Sequence, residues 1–239
     1  MELIDYGSRV VKICMPDRDG MIDDVVVGYG KLESFENGDR YFGPVIGRFG
    51  NRIAHASFEL DGVRHDLVAN ENRGGEPNNI MEHLLQVEAD TCVQNNVDLC
   101  PDLLLPVEGT PFDFREPHKI NYRIDMPHEH LRIMKGMSAC WAVRDWDGSL
   151  RKAADLYDEV SGRGVETWTT EPALLTYTGR GLNPEKYPDG KYGPICQYAG
   201  MLLETIHFPD SPNQDRFPTT ILRPGEKYHS ETEYRFHAK

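Results

Sequence analysis

Alternation of apolar and polar positions, rather than a helical repeat, dominates this chain. The clearest unit is HASFEL-DG-VRHDLV over residues 55 to 68, where two alternating runs flank Asp61-Gly62. That dipeptide takes the positive φ angles a type I′ turn needs, so the stretch reads as a β-hairpin. Further strands are predicted at Arg9 to Cys14, Asp24 to Tyr29, His83 to Ala89, Val165 to Thr170, Leu174 to Thr178 and Met201 to Phe208. A last one, Lys227 to Lys239, sets Tyr228, Ser230, Thr232, Tyr234 and Phe236 on one face at period two. Only SLRKAADLYDEV, residues 149 to 160, is rich in helix formers, and its flanking Asp147-Gly148 and Ser161-Gly162 turns suit a strand nearly as well. Many short strands between Gly and Pro turns imply an all-β sandwich or barrel. No repeat, linker or low-complexity tract interrupts residues 1 to 239, so one domain is expected.

Charge and cysteine usage narrow the function. A net charge of -13 opposes nucleic-acid or anionic-membrane binding, which needs clustered Lys and Arg. No apolar segment approaches the length of a membrane span, and the N-terminus has no signal-peptide pattern, so a cytoplasmic protein is expected. Five cysteines in no CxxC or Cys/His spacing suggest free thiols, no disulfide framework and no metal site; no cofactor is called for.

Four stretches are more specific. YFGPVIGRFGNRIAHASFELDGV (41 to 63), EGTPFDFREPHKI (108 to 120), GSLRKAADLYDEVSGRGVETWTTEPALLTYTG (148 to 179) and LLETIHFPDSPNQDRFPTTILRPGEKY (202 to 228) resemble, in the same order, the aldose 1-epimerase or galactose mutarotase family. The resemblance implies a galactose mutarotase-like β-supersandwich acting on a small aldose sugar. The family reaction interconverts the α and β anomers of aldohexoses such as galactose and glucose. A base removes the C1 hydroxyl proton while an acid protonates the ring oxygen, and the opened sugar recloses on its other face. The resemblance assigns the base to Glu204 of the LET motif and sugar contacts to Asn51 and Arg52 of GRFGNRI. A guanidinium fork and an amide supply the donors and acceptors a neutral polyol requires. Phe42, Trp141 and Trp168 are candidate stacking platforms, although aromatic residues of this kind are more often core.

VANENRGGEPNNIMEH, residues 68 to 83, breaks the resemblance. Asn70-Glu71-Asn72 is similar to the start of a family motif whose His meets the sugar. Gly75-Glu76 and the residues after it are similar to the segment just beyond a second motif, whose His protonates the ring oxygen. Both His motifs are absent, which implies an internal deletion between about Asn72 and Gly75 and a sandwich missing a central block of strands. Ser138 and Leu175 stand where the family has a sugar-contacting Asp and Gln. His207, three residues beyond Glu204, falls on the opposite strand face and is a poor replacement acid. Impaired catalysis is therefore expected. A carbohydrate-binding pseudoenzyme and a non-functional truncated product stay open as alternatives, and uncovered sheet edges offer a route to self-association.

Overall fold

In the computed structural model of the chain, the described residues are 1–38, 42–46, 50, 53, 57–66 and 80–239. Asn51, Arg52, His55 and residues 67–79, which hold most of the inferred deletion site, lie outside them. The N-terminal region forms two small ribbons, β1 (Glu2–Ile4) with β2 (Arg9–Lys12) and β3 (Cys14–Pro16) with β4 (Ile22–Asp24), followed by the short helix α1 (Leu32–Asn37). The hairpin of β5 (Ser57–Leu60) and β6 (Val63–Asp66) comes next, with Asp61 at φ 52 and Gly62 at φ 76. Those two positive angles give the turn expected of Asp-Gly, and the register pairs Leu60 with Val63 across it.

The body is two five-stranded antiparallel sheets. Its elements are β7 (Leu84–Val87), β8 (Thr91–Asn95), β9 (Pro101–Pro106), β10 (His118–Lys119), α2 (Glu129–Met134), β11 (Ser138–Ala142), β12 (Arg151–Tyr157), β13 (Arg163–Thr169), β14 (Ala173–Tyr177), β15 (Leu202–Ile206) and β16 (Thr232–Ala238). One sheet runs β10-β7-β12-β13-β16 and the other β15-β14-β11-β8-β9. Alternate residues turn inward from both, among them Leu85, Val87 and Ala154 from the first and Ala139, Trp141, Leu174 and Cys92 from the second. Phe112, Phe114 and Ile120, from the connection on either side of β10, complete this core. The family architecture expected from the motifs is thus observed as a β-sandwich.

One open local expectation is decided and two are corrected. Residues 151 to 157 form a strand, because β7 and β13 pair on both sides of it and bury Ala153 and Ala154; tertiary pairing overrides helix propensity. The strand expected over Asp24 to Tyr29 does not form; β4 ends at Asp24, whose carboxylate accepts from the Ile13 and Val26 N–H groups and turns the chain. The last strand begins at Thr232, because Tyr228 leaves the ladder to donate its hydroxyl to Glu171 at 2.9 Å.

At one corner the sheets meet through hydrogen bonds between their edge strands. The Thr205 and Thr232 hydroxyls lie 2.6 Å apart, and the Tyr234 hydroxyl donates to the Leu203 carbonyl at 2.7 Å. At the far end, His130 of α2 is 2% exposed and bridges two strands: its Nδ1 accepts from the Asn95 N–H at 3.1 Å and its Nε2 donates to the Ser138 carbonyl at 3.0 Å. This arrangement needs the neutral ring, and burial lowers its pKa to about 4. An unfolded histidine titrates near 6.5, so between those values the unfolded chain binds the extra proton. Stability is therefore expected to fall by on the order of 3 kcal/mol as pH drops from about 6.5 to about 4. Denaturant titrations across that range should show this slope reduced in His130→Gln.

Candidate active site

Glu204 sits at the middle of β15, an edge strand. The register places it opposite Leu175 of β14, which lies opposite Cys140 of β11, which in turn lies opposite Val93 of β8. This row crosses the sheet on the face away from the main core. On that face Val93, Cys140, Ala173, Ile206, Phe208 and Phe217 form a second apolar cluster, with the Phe208 and Phe217 rings stacked at 4.3 Å. Ser138 and Tyr177 occupy the next row on the same face, and Ser138 is buried.

The chain crosses over this face at Gly50. A Cβ built there would lie 3.6 Å from Glu204 Oε1 and 3.4 Å from the Ile206 Cγ2 methyl. Asn51 and Arg52 come directly after it in sequence and lie outside the described residues. None of the three aromatic candidates joins the site. Trp141 is core on the opposite face, Phe42 packs edge-on against Tyr29 in a separate cluster, and Trp168 lies in the other sheet beneath the Arg235 guanidinium.

Burial raises the Glu204 pKa above the ordinary carboxylate range, with no countering charge or hydrogen bond among the described residues. The Cys140 thiol is pushed up by burial first, and then by the neighbouring Cys92 and Glu204. Tyr234 is 46% exposed, and its hydroxyl donates to the Leu203 carbonyl; burial, with Glu204 adding to it, pushes its pKa to about 12. His207 faces elsewhere: its Nδ1 lies 2.6 Å from Glu171 Oε2, the carboxylate that Tyr228 also engages. The Glu171 cluster leaves no signal in the sequence, because its members come from three separate segments.

An acid whose folded pKa is raised stabilises the fold only below its unfolded value, about 4.3, and that contribution is lost as pH rises through the folded pKa. Glu204→Gln is accordingly expected to raise the melting temperature at neutral pH and to leave it nearly unchanged at pH 4. Paired thermal melts at the two pH values check this.

The family model for aldose 1-epimerase matches residues 1–79 and 72–235. The chain belongs to the aldose 1-epimerase family. Among relatives, the galactose mutarotase of Homo sapiens is 27% identical over 319 positions, covering 99% of this chain and 90% of its own length. The aldose 1-epimerase of Escherichia coli (strain K12) is 24% identical over 320 positions, covering 99% and 92%. Both alignments are longer than the 239 residues present, so these relatives of the epimerase-family chain carry positions it lacks. Among solved structures, an aldose epimerase homologue from C. elegans superposes with a TM-score of 0.84 at 19% identity, covering 99% of this chain and 94% of that one. Galactose 1-epimerase from Lactobacillus acidophilus NCFM gives 0.76 at 15%, covering 99% and 90%. These two likenesses establish the epimerase-family fold.

Proposed function

We propose that this chain retains the base of the aldose 1-epimerase reaction and lacks its acid, so that interconversion of aldohexose anomers is impaired. The observation that carries this reading is the Glu204 carboxylate: desolvated, without a partner among the described residues, and at the position where the family motif has its base. A buried carboxylate of that kind has proton affinity to spare for a sugar C1 hydroxyl. Gly50 against its oxygen supports a role for Asn51 and Arg52 at the sugar. Among the described residues no histidine is bonded to Glu204; His130 and His207 are engaged with Ser138 and Glu171.

The internal deletion belongs to the same reading. Its support is the pair of family-model matches that overlap at residues 72–79 and the alignments that outrun the chain. The alternative is a carbohydrate-binding pseudoenzyme, favoured by Leu175 lying directly beside Glu204, where an amide would hold the sugar. Exposed Leu103 and Leu104 on the edge strand β9 support self-association through a sheet edge. Among the described residues no helix is long and apolar enough to cross a membrane, and five cysteines outside any disulfide support a reducing, cytoplasmic location.

The test is NMR measurement of anomer exchange for galactose and glucose, with Glu204→Gln as the comparison. Exchange at the spontaneous rate in both proteins supports impairment. Fast exchange that disappears in the variant overturns it.

A further inference from the structure

At the α2 end of the sandwich, a pocket of about 380 Å³ opens between that helix and the turn leading into it. Apolar side chains make much of its wall: Ile124, Met126 and Pro127 come from the turn, and Leu131 comes from the helix. Two cations stand on the same lining, Arg132 of α2 and Lys135 at its C-cap. A third is close by, because a Cβ built on Gly136, another lining residue, would lie 3.2 Å from the Arg180 Cδ. The frame around these groups is well anchored. Leu131 belongs to the main core, and its carbonyl accepts the Lys135 N–H that closes the helix. Tyr198, also on the lining, holds φ 57, a left-handed conformation that bulky residues rarely take. It persists because the Tyr198 N–H donates to the Gly179 carbonyl at 3.3 Å and its carbonyl accepts from the Ile80 N–H at 2.7 Å.

We infer that this pocket binds an organic anion in which a carboxylate is joined to an apolar body. The volume lies within the range of small-ligand sites. Arg132 and Lys135 repel a cation and offer a carboxylate charge-assisted donors, the strong class of hydrogen bond. Arg132 gives one N–H to Glu129 at 3.1 Å, and a guanidinium has five to give. The apolar wall asks for more than a bare anion. Met126 is 40% exposed, and its flexible thioether adapts to the shape of whatever lies against it. Covering it and its neighbours with hydrocarbon is favourable, whereas a small hydrated anion leaves them wet. The chain as a whole carries a net charge of -13, so its overall field opposes anions and the local cations must hold this one. Glu204 does not line the pocket, so the inference stands or falls separately from the catalytic reading.

The experiment follows the methyl resonances of Ile124, Met126 and Leu131 by ¹H–¹³C NMR during titration with 4-phenylbutyrate, with 4-phenylbutyramide and acetate as parallel probes. The amide keeps the apolar body and removes the charge; acetate does the reverse. Saturable shifts are expected with 4-phenylbutyrate, about tenfold weaker binding with the amide, and no saturation by acetate over the same concentrations. Lys135→Gln and Arg132→Gln are each expected to weaken 4-phenylbutyrate binding about tenfold, and Glu204→Gln to leave it unchanged. Both cations are exposed, and the Lys135 N–H keeps its bond to the Leu131 carbonyl in the glutamine variant, so both variants are expected to fold. Absence of saturable shifts, equal binding of the amide, saturation by acetate, or affinity unchanged in both cation variants would each overturn the assignment.

Discussion

Anomer exchange of galactose at neutral pH is expected to run at its spontaneous rate in the presence of this protein, and Glu204→Gln is expected to leave it there. Ring opening needs the C1 proton removed and the ring oxygen protonated in one step. Without the acid the ring oxygen departs as an alkoxide, and the general-acid share of the acceleration, about 10²- to 10⁴-fold, is lost. Loose positioning removes more, because a misplaced sugar forfeits the proximity advantage. Leu175 and Ser138 lie on the Glu204 face, so Leu175→Gln with Ser138→Asp returns to that face the amide and carboxylate that the family resemblance implies there. The double variant is still expected to show no turnover, since neither change supplies the missing proton donor. Polarimetry on freshly dissolved α-galactose distinguishes the cases, and rapid turnover by the double variant would count against the missing-acid account.

The largest loss of stability is expected from Trp141→Ala. The indole is 1% exposed, its N–H donates to the Phe112 carbonyl at 3.3 Å, and the Phe112 and Phe114 rings meet it edge-on at 6.4 and 6.3 Å. Truncation opens a large cavity between the sheets and removes one of the two hydrogen bonds that carbonyl accepts, the other coming from the Phe114 N–H, at a cost of about 3 to 5 kcal/mol. Ordinary domains hold about 5 to 15 kcal/mol in total, so the variant should be partly unfolded at 37 °C. A denaturant midpoint within error of the parent would show that the indole is not a keystone of the core.

Legibility in the sequence tracks the range of the interactions. Asp61-Gly62 is readable because its turn is decided by two residues, and the strands at 84–87, 163–169, 173–177 and 202–206 are readable as short β-prone runs between turn residues. The six-residue helices at Leu32–Asn37 and Glu129–Met134 are too short to display a helical period, so the pattern does not reveal them. Residues 151–157 stay ambiguous until their two neighbouring strands are known. Glu204 is legible only through the LET motif; the sequence holds no hint that Gly50 passes over it or that burial raises its proton affinity. Met126 and Lys135 are ordinary turn and helix-end residues in sequence, and only the fold sets them around one pocket.

The corner where β15 meets β16 has a mechanical consequence. Apolar side chains that interdigitate between two layers resist sliding through packing alone, whereas a hydrogen bond fixes the distance and direction between two strands as well. Here Leu203 and Thr205, the residues on either side of Glu204, are both pinned to β16 of the opposite sheet. Shear between the layers is therefore resisted at this corner, as it is where the Arg144 N–H, just beyond β11, donates to the Glu88 carbonyl, just beyond β7. The carboxylate lies between two residues that each bond to the opposite sheet, so its strand is fixed relative to both layers at once.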